Sequence, residues 1–178
     1  MAFSTRIGRA RTLVVALVIG VAALGPQASS ALAASFNFQA TLTGVTTPGA
    51  CPPGTPAGVV CYTGQSAGAI TQPTSLAGPA NEADRGFFDT AHPNSQGCIP
   101  NFALASITSA QGTLYIADED FICGLGTGNV TENGNWQALG GTGAYRDAHG
   151  GGTYTVTGIN QQTGVSTITY TGHLTTGE

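Results

Sequence analysis

The sequence predicts an all-β fold, an antiparallel barrel or sandwich in one domain. Short segments of alternating or β-branched character recur between residues 35 and 174, and turns rich in Gly, Asn and Ser separate them. No segment of this region keeps the 3.6-residue period of a helix for three turns. Sequential strands without intervening helices are typical of antiparallel barrels and sandwiches.

The first predicted strand is SFNFQATLTGV, residues 35–45. Apolar and polar residues alternate strictly along it, which is the period of a strand with one buried face. The apolar face comprises Phe36, Phe38, Ala40 and Leu42.

Residues 44–100 are rich in turn formers and contain eight of the nine prolines. Only short apolar patches interrupt them, namely GVVCYTG, GAIT and RGFFDT. Because Pro and Gly end regular elements, we expect short strands here, joined by long, exposed Pro/Gly-rich loops.

Strand signals return after residue 101, in five segments bounded by turn residues: FALASIT, GTLYIADEDFI, GNWQALGG, GGTYTVTGI and VSTITYTGHL. The intervening SAQG and NQQTG segments are predicted hairpin loops.

The N-terminal residues 1–33 have the pattern of a signal peptide. Three arginines precede the apolar run LVVALVIGVAALG, and Ala-Leu-Ala at 31–33 is the small-x-small pattern that signal peptidase accepts. The run is short for a membrane span, which disfavours the alternative of a retained anchor. We therefore expect a secreted, extracellular mature domain, residues 34–178.

Charge excludes two classes of partner. Two arginines against nine acidic residues leave residues 34–178 with a formal charge of −7, and the chain contains no lysine. Two cationic side chains cannot neutralise a row of phosphates. We therefore expect neither nucleic acid nor an anionic membrane surface as a partner.

The four cysteines predict disulfides, because the chain is expected to be exported and no C-x-x-C pair is present. Three connectivities are possible. We favour Cys51 with Cys61, which closes a Pro-rich loop, and Cys98 with Cys123, which joins two strands.

The segment GGTGAYRDAHGGGTY, residues 140–154, is unusually rich in glycine. Glycines occur where strands bend to close a barrel, although turns of an open sandwich also use them. This segment resembles the signature of dirigent proteins and allene oxide cyclases, because GGTG at 140–143 is followed by an aromatic residue, Tyr145, then by Arg146 and Gly150. The chain also resembles exported bacterial proteins of unassigned function in its Thr/Gly strands and cysteine-bearing loops.

That resemblance implies an eight-stranded antiparallel barrel with a largely apolar cavity, and trimers. It also implies a small hydrophobic ligand and, in an enzyme, isomerisation or cyclisation without a cofactor. Arg146 matches the charged position of the signature, and His149 stands where dirigent proteins have a second Arg. Both are candidate catalytic residues, in a small polar cluster at a cavity mouth.

Asp118 and Asp120 are the other catalytic candidates. They share strand parity with Leu114 and Ile116, so all four side chains point into the barrel if any of them does. Buried carboxyl groups have raised pKa values and can act as general acid or base. The alternatives are a solvated strand end and a cation site, but the spacing of a calcium loop is absent.

The predicted cavity lining consists of apolar and aromatic residues, which are otherwise ordinary core: Phe36, Phe38, Leu114, Ile116, Tyr154 and Tyr170. The histidines are dispersed, and no metal site is expected. GQSAG, residues 64–68, matches the serine hydrolase elbow, but no helical pattern follows it.

Two functions fit this sequence. The first is a secreted barrel whose cavity binds a small hydrophobic molecule, with isomerase-like or cyclisation-guiding activity if it is catalytic. The second is a non-catalytic extracellular or cell-envelope protein with a filled barrel, whose Pro-rich loops contact a partner.

Overall fold

The computed structural model describes residues 34–177, and the predicted signal peptide, residues 1–33, lies outside the described residues. The described chain forms eight strands and one 3₁₀ turn. None of the helices in this range has the length and apolarity needed to cross a membrane. The strands are β1 Ala34–Pro48, β2 Val59–Gln72, β3 Gly78–Asp89, β4 Ile99–Ser109, β5 Gly112–Cys123, β6 Thr131–Gly141, β7 His149–Thr157 and β8 Val165–Thr176.

Each strand pairs with its sequence neighbour in antiparallel orientation, and β1 pairs with β8. That last ladder runs from Ala34 opposite Thr176 to Val45 opposite Val165. The sheet is therefore a closed barrel, which confirms the predicted fold and excludes the open sandwich.

Alternation along the strands separates the interior from the surface. In β1, Phe38, Ala40 and Leu42 are buried, whereas Thr41 and Thr43 face outward. Thr43 Oγ1 lies 2.8 Å from Thr167 Oγ1 on β8, one of several cross-strand hydroxyl pairs. Hydroxyl groups thus cover much of the outer surface in place of charged side chains.

The glycine-rich segment forms the end of the barrel where β6 turns into β7. The 3₁₀ turn Gly143–Tyr145 lies there, and the Tyr145 side chain is fully buried beneath it. Gly172 on β8 makes room for the indole of Trp136, because a Cβ at position 172 would lie 2.7 Å from Trp136 Cζ2. Gly172 therefore allows close packing of strand and indole at the filled end of the barrel.

The expectation of short strands within residues 44–100 was wrong. β2 has 14 residues and β3 has 12, and the Pro-rich loops are confined to the connections between strands. The inward positions of β3 include Glu82 and Asp84, so its interior face carries charge and lacks an apolar period.

Both favoured disulfides form. Cys51, in the β1–β2 connection, is bonded to Cys61 near the start of β2, and Cys98, just before β4, is bonded to Cys123 at the end of β5. Both bonds lie toward the same end of the barrel, where they constrain the long connections.

Candidate ligand-binding site

A cavity of about 320 Å³ opens at the end of the barrel opposite the glycine-rich turn. This end carries the β1–β2, β3–β4, β5–β6 and β7–β8 connections. Apolar side chains form much of the wall, including Val60, Phe88, Ala103, Ile122, Val156 and Ile168.

The rest of the interior is filled. Phe38 and Trp136 pack edge to face with ring centroids 5.6 Å apart, and Leu114 and Ile116 are fully buried beside them. Tyr170 belongs to this core and also lines the cavity, so it marks the boundary between the two halves.

Tyr170 connects two carboxyl groups at the cavity floor. Its hydroxyl donates to Glu82 Oε1 at 2.6 Å and lies 3.3 Å from Asp118 Oδ2. A hydroxyl has one proton, so the contact with Asp118 is best satisfied when Asp118 is protonated and donates to the tyrosine oxygen. The three groups then form a chain of hydrogen bonds between β3, β8 and β5.

A second network surrounds Asp120. Asn101 Nδ2 donates to Asp120 Oδ2 at 2.7 Å, and the Tyr154 hydroxyl donates to the same oxygen. Tyr62 in turn donates to Asn101 Oδ1 at 3.0 Å. These bonds fix the orientation of Asp120 and leave its other oxygen free.

Three buried carboxyl oxygens have no hydrogen-bond partner within the described residues: Glu82 Oε2, Asp118 Oδ1 and Asp120 Oδ1. The three residues are only 3%, 3% and 5% exposed. Since buried polar atoms are normally paired, each of these oxygens needs an explanation.

Burial raises the pKa of these acids. Desolvation, followed by repulsion from Glu82, raises the pKa of Asp118 to about 8, and desolvation raises the pKa of Glu82 to about 7 although Tyr170 opposes it. Desolvation also raises the pKa of Asp120, against the bonds from Tyr154 and Asn101. Some of these groups are therefore protonated at neutral pH.

Two half-buried acids complete the polar lining. Desolvation raises the pKa of Glu132 on β6 to about 8, with repulsion from Asp120 as the next cause, and raises that of Asp84 on β3 to about 6. Asp84 lies opposite Gly64 on β2, where a Cβ would come within 2.8 Å of the Asp84 carboxyl carbon. The absence of a side chain at Gly64 therefore leaves room for this carboxylate.

No cationic side chain of residues 34–177 balances these five acids. Arg85 lies exposed on the outer face of β3, and Arg146 is exposed at the opposite end of the barrel. The three histidines of the described range are exposed as well. Within this range, no three His, Cys, Asp or Glu side chains are arranged to hold a metal ion.

The structure brings together four of the predicted site residues. Asp118 and Asp120 point inward as their parity predicts, so the solvated strand end is excluded, and Tyr154 and Tyr170 contact them. The other predicted lining residues do not contribute to the cavity. Phe38, Leu114 and Ile116 are core residues of the filled half, and half-buried Phe36 packs against the same core.

Arg146 and His149 lie away from the cavity, which corrects their placement in a polar cluster at its mouth. Both are exposed beside the β6–β7 turn, at the filled end. Ser66 of the GQSAG segment lies within β2 beside Glu82, and a strand rather than a helix contains it. It therefore has no nucleophile elbow around it.

Five polar residues of the site were missed by the sequence analysis: Tyr62, Glu82, Asp84, Asn101 and Glu132. The alternation of inward and outward side chains along a strand identifies Glu132. Glu132 shares the strand parity of Trp136 and Ala138, which are buried, so the position of Glu132 at the start of β6 points inward.

The chain was compared with models of protein families, with curated proteins and with solved structures, and none of the three comparisons found a match.

Proposed function

We propose that the barrel binds a small, mainly apolar molecule in the cavity, with its polar part toward the acids at the floor. One observation supports this most directly: an apolar wall surrounds buried carboxyl groups, three of which have one oxygen without a hydrogen-bond partner among residues 34–177. Ligand sites typically combine such walls with a few convergent polar groups. The volume of about 320 Å³ suits a compact ligand.

The acids also suit proton transfer. A carboxyl group with a pKa of about 8, as at Asp118, holds a proton near neutral pH and can exchange it with a bound molecule. If the ligand is converted, we expect isomerisation or cyclisation, in which one proton is delivered and one is taken back and no cofactor is required. Asp118 is the candidate acid, and Asp120 is the candidate base.

We further propose that the chain is an exported, extracellular member of the dirigent and allene oxide cyclase superfamily. The closed eight-stranded barrel and the glycine-rich segment between β6 and β7 support this membership. The two disulfides support an oxidising compartment. The trimer that the resemblance implies stays a prediction.

A second candidate function is the binding of a partner protein by the outer surface. The exposed apolar side chains on β3, β5 and β6 favour it, since Phe87, Phe121 and Leu139 are 43%, 46% and 57% exposed. Apolar groups on an outer sheet face are common at protein contacts.

Native mass spectrometry of protein purified from its natural source tests the cavity proposal. We expect a co-purifying small molecule, which is lost in Ala103→Phe because Ala103 lines the cavity. Ala83→Phe is the matched control, since Ala83 is exposed on the outer face of β3. A ligand retained equally by both variants would place its binding site outside the barrel.

A further inference from the structure

We propose that the cavity selects an organic ammonium ion, a primary or secondary amine attached to an apolar group, over neutral and anionic molecules of the same shape. This inference rests on the proposed function, because it names the chemical class of the ligand that the cavity accepts.

The unpaired oxygens carry the argument. Among residues 34–177, Glu82 Oε2 and Asp118 Oδ1 are buried acceptors to which no group donates with hydrogen-bond geometry, although the Ser66 hydroxyl lies near Glu82. Both carboxyl groups contact the same Tyr170 hydroxyl. A protonated amine brings N–H donors and a positive charge to this place. Charge-assisted hydrogen bonds of this kind are shorter and stronger than those between neutral groups.

The charge balance points to the same class of ligand. The cavity is lined by Glu82 and Asp84 from β3, Asp118 from β5 and Glu132 from β6, with Asp120 bonded to Tyr154 at its wall. The described cationic side chains all lie outside the cavity. A bound cation would therefore supply the counter-charge that residues 34–177 do not, whereas an anion would add to the repulsion.

Aromatic rings complete the environment. Tyr62, Phe88, Tyr154 and Tyr170 line the cavity, and the Tyr154 and Tyr170 rings lie 5.6 Å apart. Faces of aromatic rings attract ammonium groups. The unpaired acceptors favour an amine that keeps N–H groups over a quaternary ammonium ion, which has none.

The probes are three molecules of similar shape: 2-phenylethylamine, 2-phenylethanol and 3-phenylpropanoate. Isothermal titration calorimetry on the full mature chain measures their affinities at about pH 8, where the amine, with a pKa near that of lysine at about 10, remains charged. We expect the amine to bind about tenfold or more tightly than the alcohol, and the carboxylate to bind most weakly.

The acid–base behaviour gives a second readout. Between about pH 6 and about pH 8 the facing acids ionise, so the affinity for the amine rises while that for the alcohol does not. The groups that titrate around the ligand are Glu82, Asp84, Asp118, Asp120 and Glu132, since the pKa values of Tyr62, Tyr154 and Tyr170 are raised by desolvation above the usual value.

Asp118→Asn is the decisive variant, and Glu119→Gln is its control because Glu119 carries the same charge on the exposed face of β5. We expect D118N to weaken amine binding about tenfold and to change the affinity for 2-phenylethanol much less, and circular dichroism shows separately that the variant folds. E119Q keeps both affinities.

Equal affinity for amine and alcohol, with no effect of D118N, overturns this inference and leaves the cavity proposal standing. Failure of both the amine and the alcohol to bind the wild-type protein overturns the cavity proposal itself.

Discussion

The Tyr170 hydroxyl on β8 donates a 2.6 Å hydrogen bond to Glu82 Oε1 on β3, across the interior of the barrel. These strands are not neighbours in the sheet, so the bond adds a contact that backbone pairing does not provide. It lies where the aromatic core ends and the cavity begins, and the same hydroxyl contacts Asp118. The floor of the proposed site is thus built on this pair.

Tyr170→Phe removes the hydroxyl that donates to Glu82 Oε1 and leaves this buried acceptor without that bond. We expect the free energy of unfolding to decrease by about 1–3 kcal/mol, the usual effect of an unsatisfied buried group. Urea denaturation at about pH 6 measures it. Tyr115→Phe is the control, because Tyr115 is 45% exposed on the outer face. Equal stabilities of the two variants would show that the bond contributes nothing.

Stability should fall as the pH rises from about 4 to about 8. The folded-state pKa values of Glu82 and Asp118, about 7 and 8, lie above their ordinary values. Between the unfolded and the folded pKa the native state binds more protons, so the free energy of unfolding decreases with pH and levels off above the folded pKa.

Thermal unfolding followed by circular dichroism measures this dependence. A difference of one pH unit between folded and unfolded pKa corresponds to about 1.4 kcal/mol. We therefore expect Tm to fall by about 5 °C or more between about pH 5 and about pH 8. A Tm that rises over this range would mean that the interior acids are stabilised in their ionised form.

Asp118→Asn should reduce that pH dependence, because the amide cannot ionise in the desolvated interior. We expect the variant to be more stable than the wild-type protein at about pH 8 by about 1 kcal/mol or more, with a smaller difference at about pH 5. Glu119→Gln, on the exposed face, should leave the pH profile unchanged. Identical profiles for D118N and the wild-type protein would remove Asp118 from the titrating group.

Gly172→Ala should destabilise the filled half of the barrel. An added Cβ would lie 2.7 Å from Trp136 Cζ2 and 2.8 Å from the Cα of Gly152, so the indole and the neighbouring strand must shift. We expect a loss of about 1–3 kcal/mol in urea denaturation, as for other overpacked cores.

Gly49→Ala is the matched control, since the nearest atoms to its added Cβ are at 3.6 Å. Its stability should stay within about 0.5 kcal/mol of the wild-type value. A G172A variant as stable as G49A would show that the Trp136 packing is not tight.

The sequence predicted an antiparallel barrel or sandwich, with strands after residue 101, because their apolar residues keep a two-residue period, and the resemblance of the glycine-rich segment favoured the barrel. Asp118 and Asp120 were found for the same reason, since they continue the parity of Leu114 and Ile116. Glu82 and Asp84 were missed, because a strand whose inward face carries acids resembles an exposed loop when read alone. Their direction follows from the alternation along β3, in which Glu82 and Asp84 share the parity of buried Ala80.

Arg146 and His149 show the opposite limit. The glycine-rich segment that contains them does form a tight turn between two strands. Such a turn can lie at either end of a barrel, and the segment's sequence does not show which end holds the cavity. The topology decides this, because β6 starts at the cavity with Glu132 and finishes at the filled end with Gly141.

Binding of 2-phenylethanol followed by methyl NMR tests the central claim, that the barrel interior is a ligand site, most directly. We predict saturable shifts of the Val60, Val156 and Ile168 methyl groups, which line the cavity, and no shift of Leu139, which is exposed on the outer face. Shifts confined to Leu139 and its neighbours, or none at all, would contradict a ligand-binding interior.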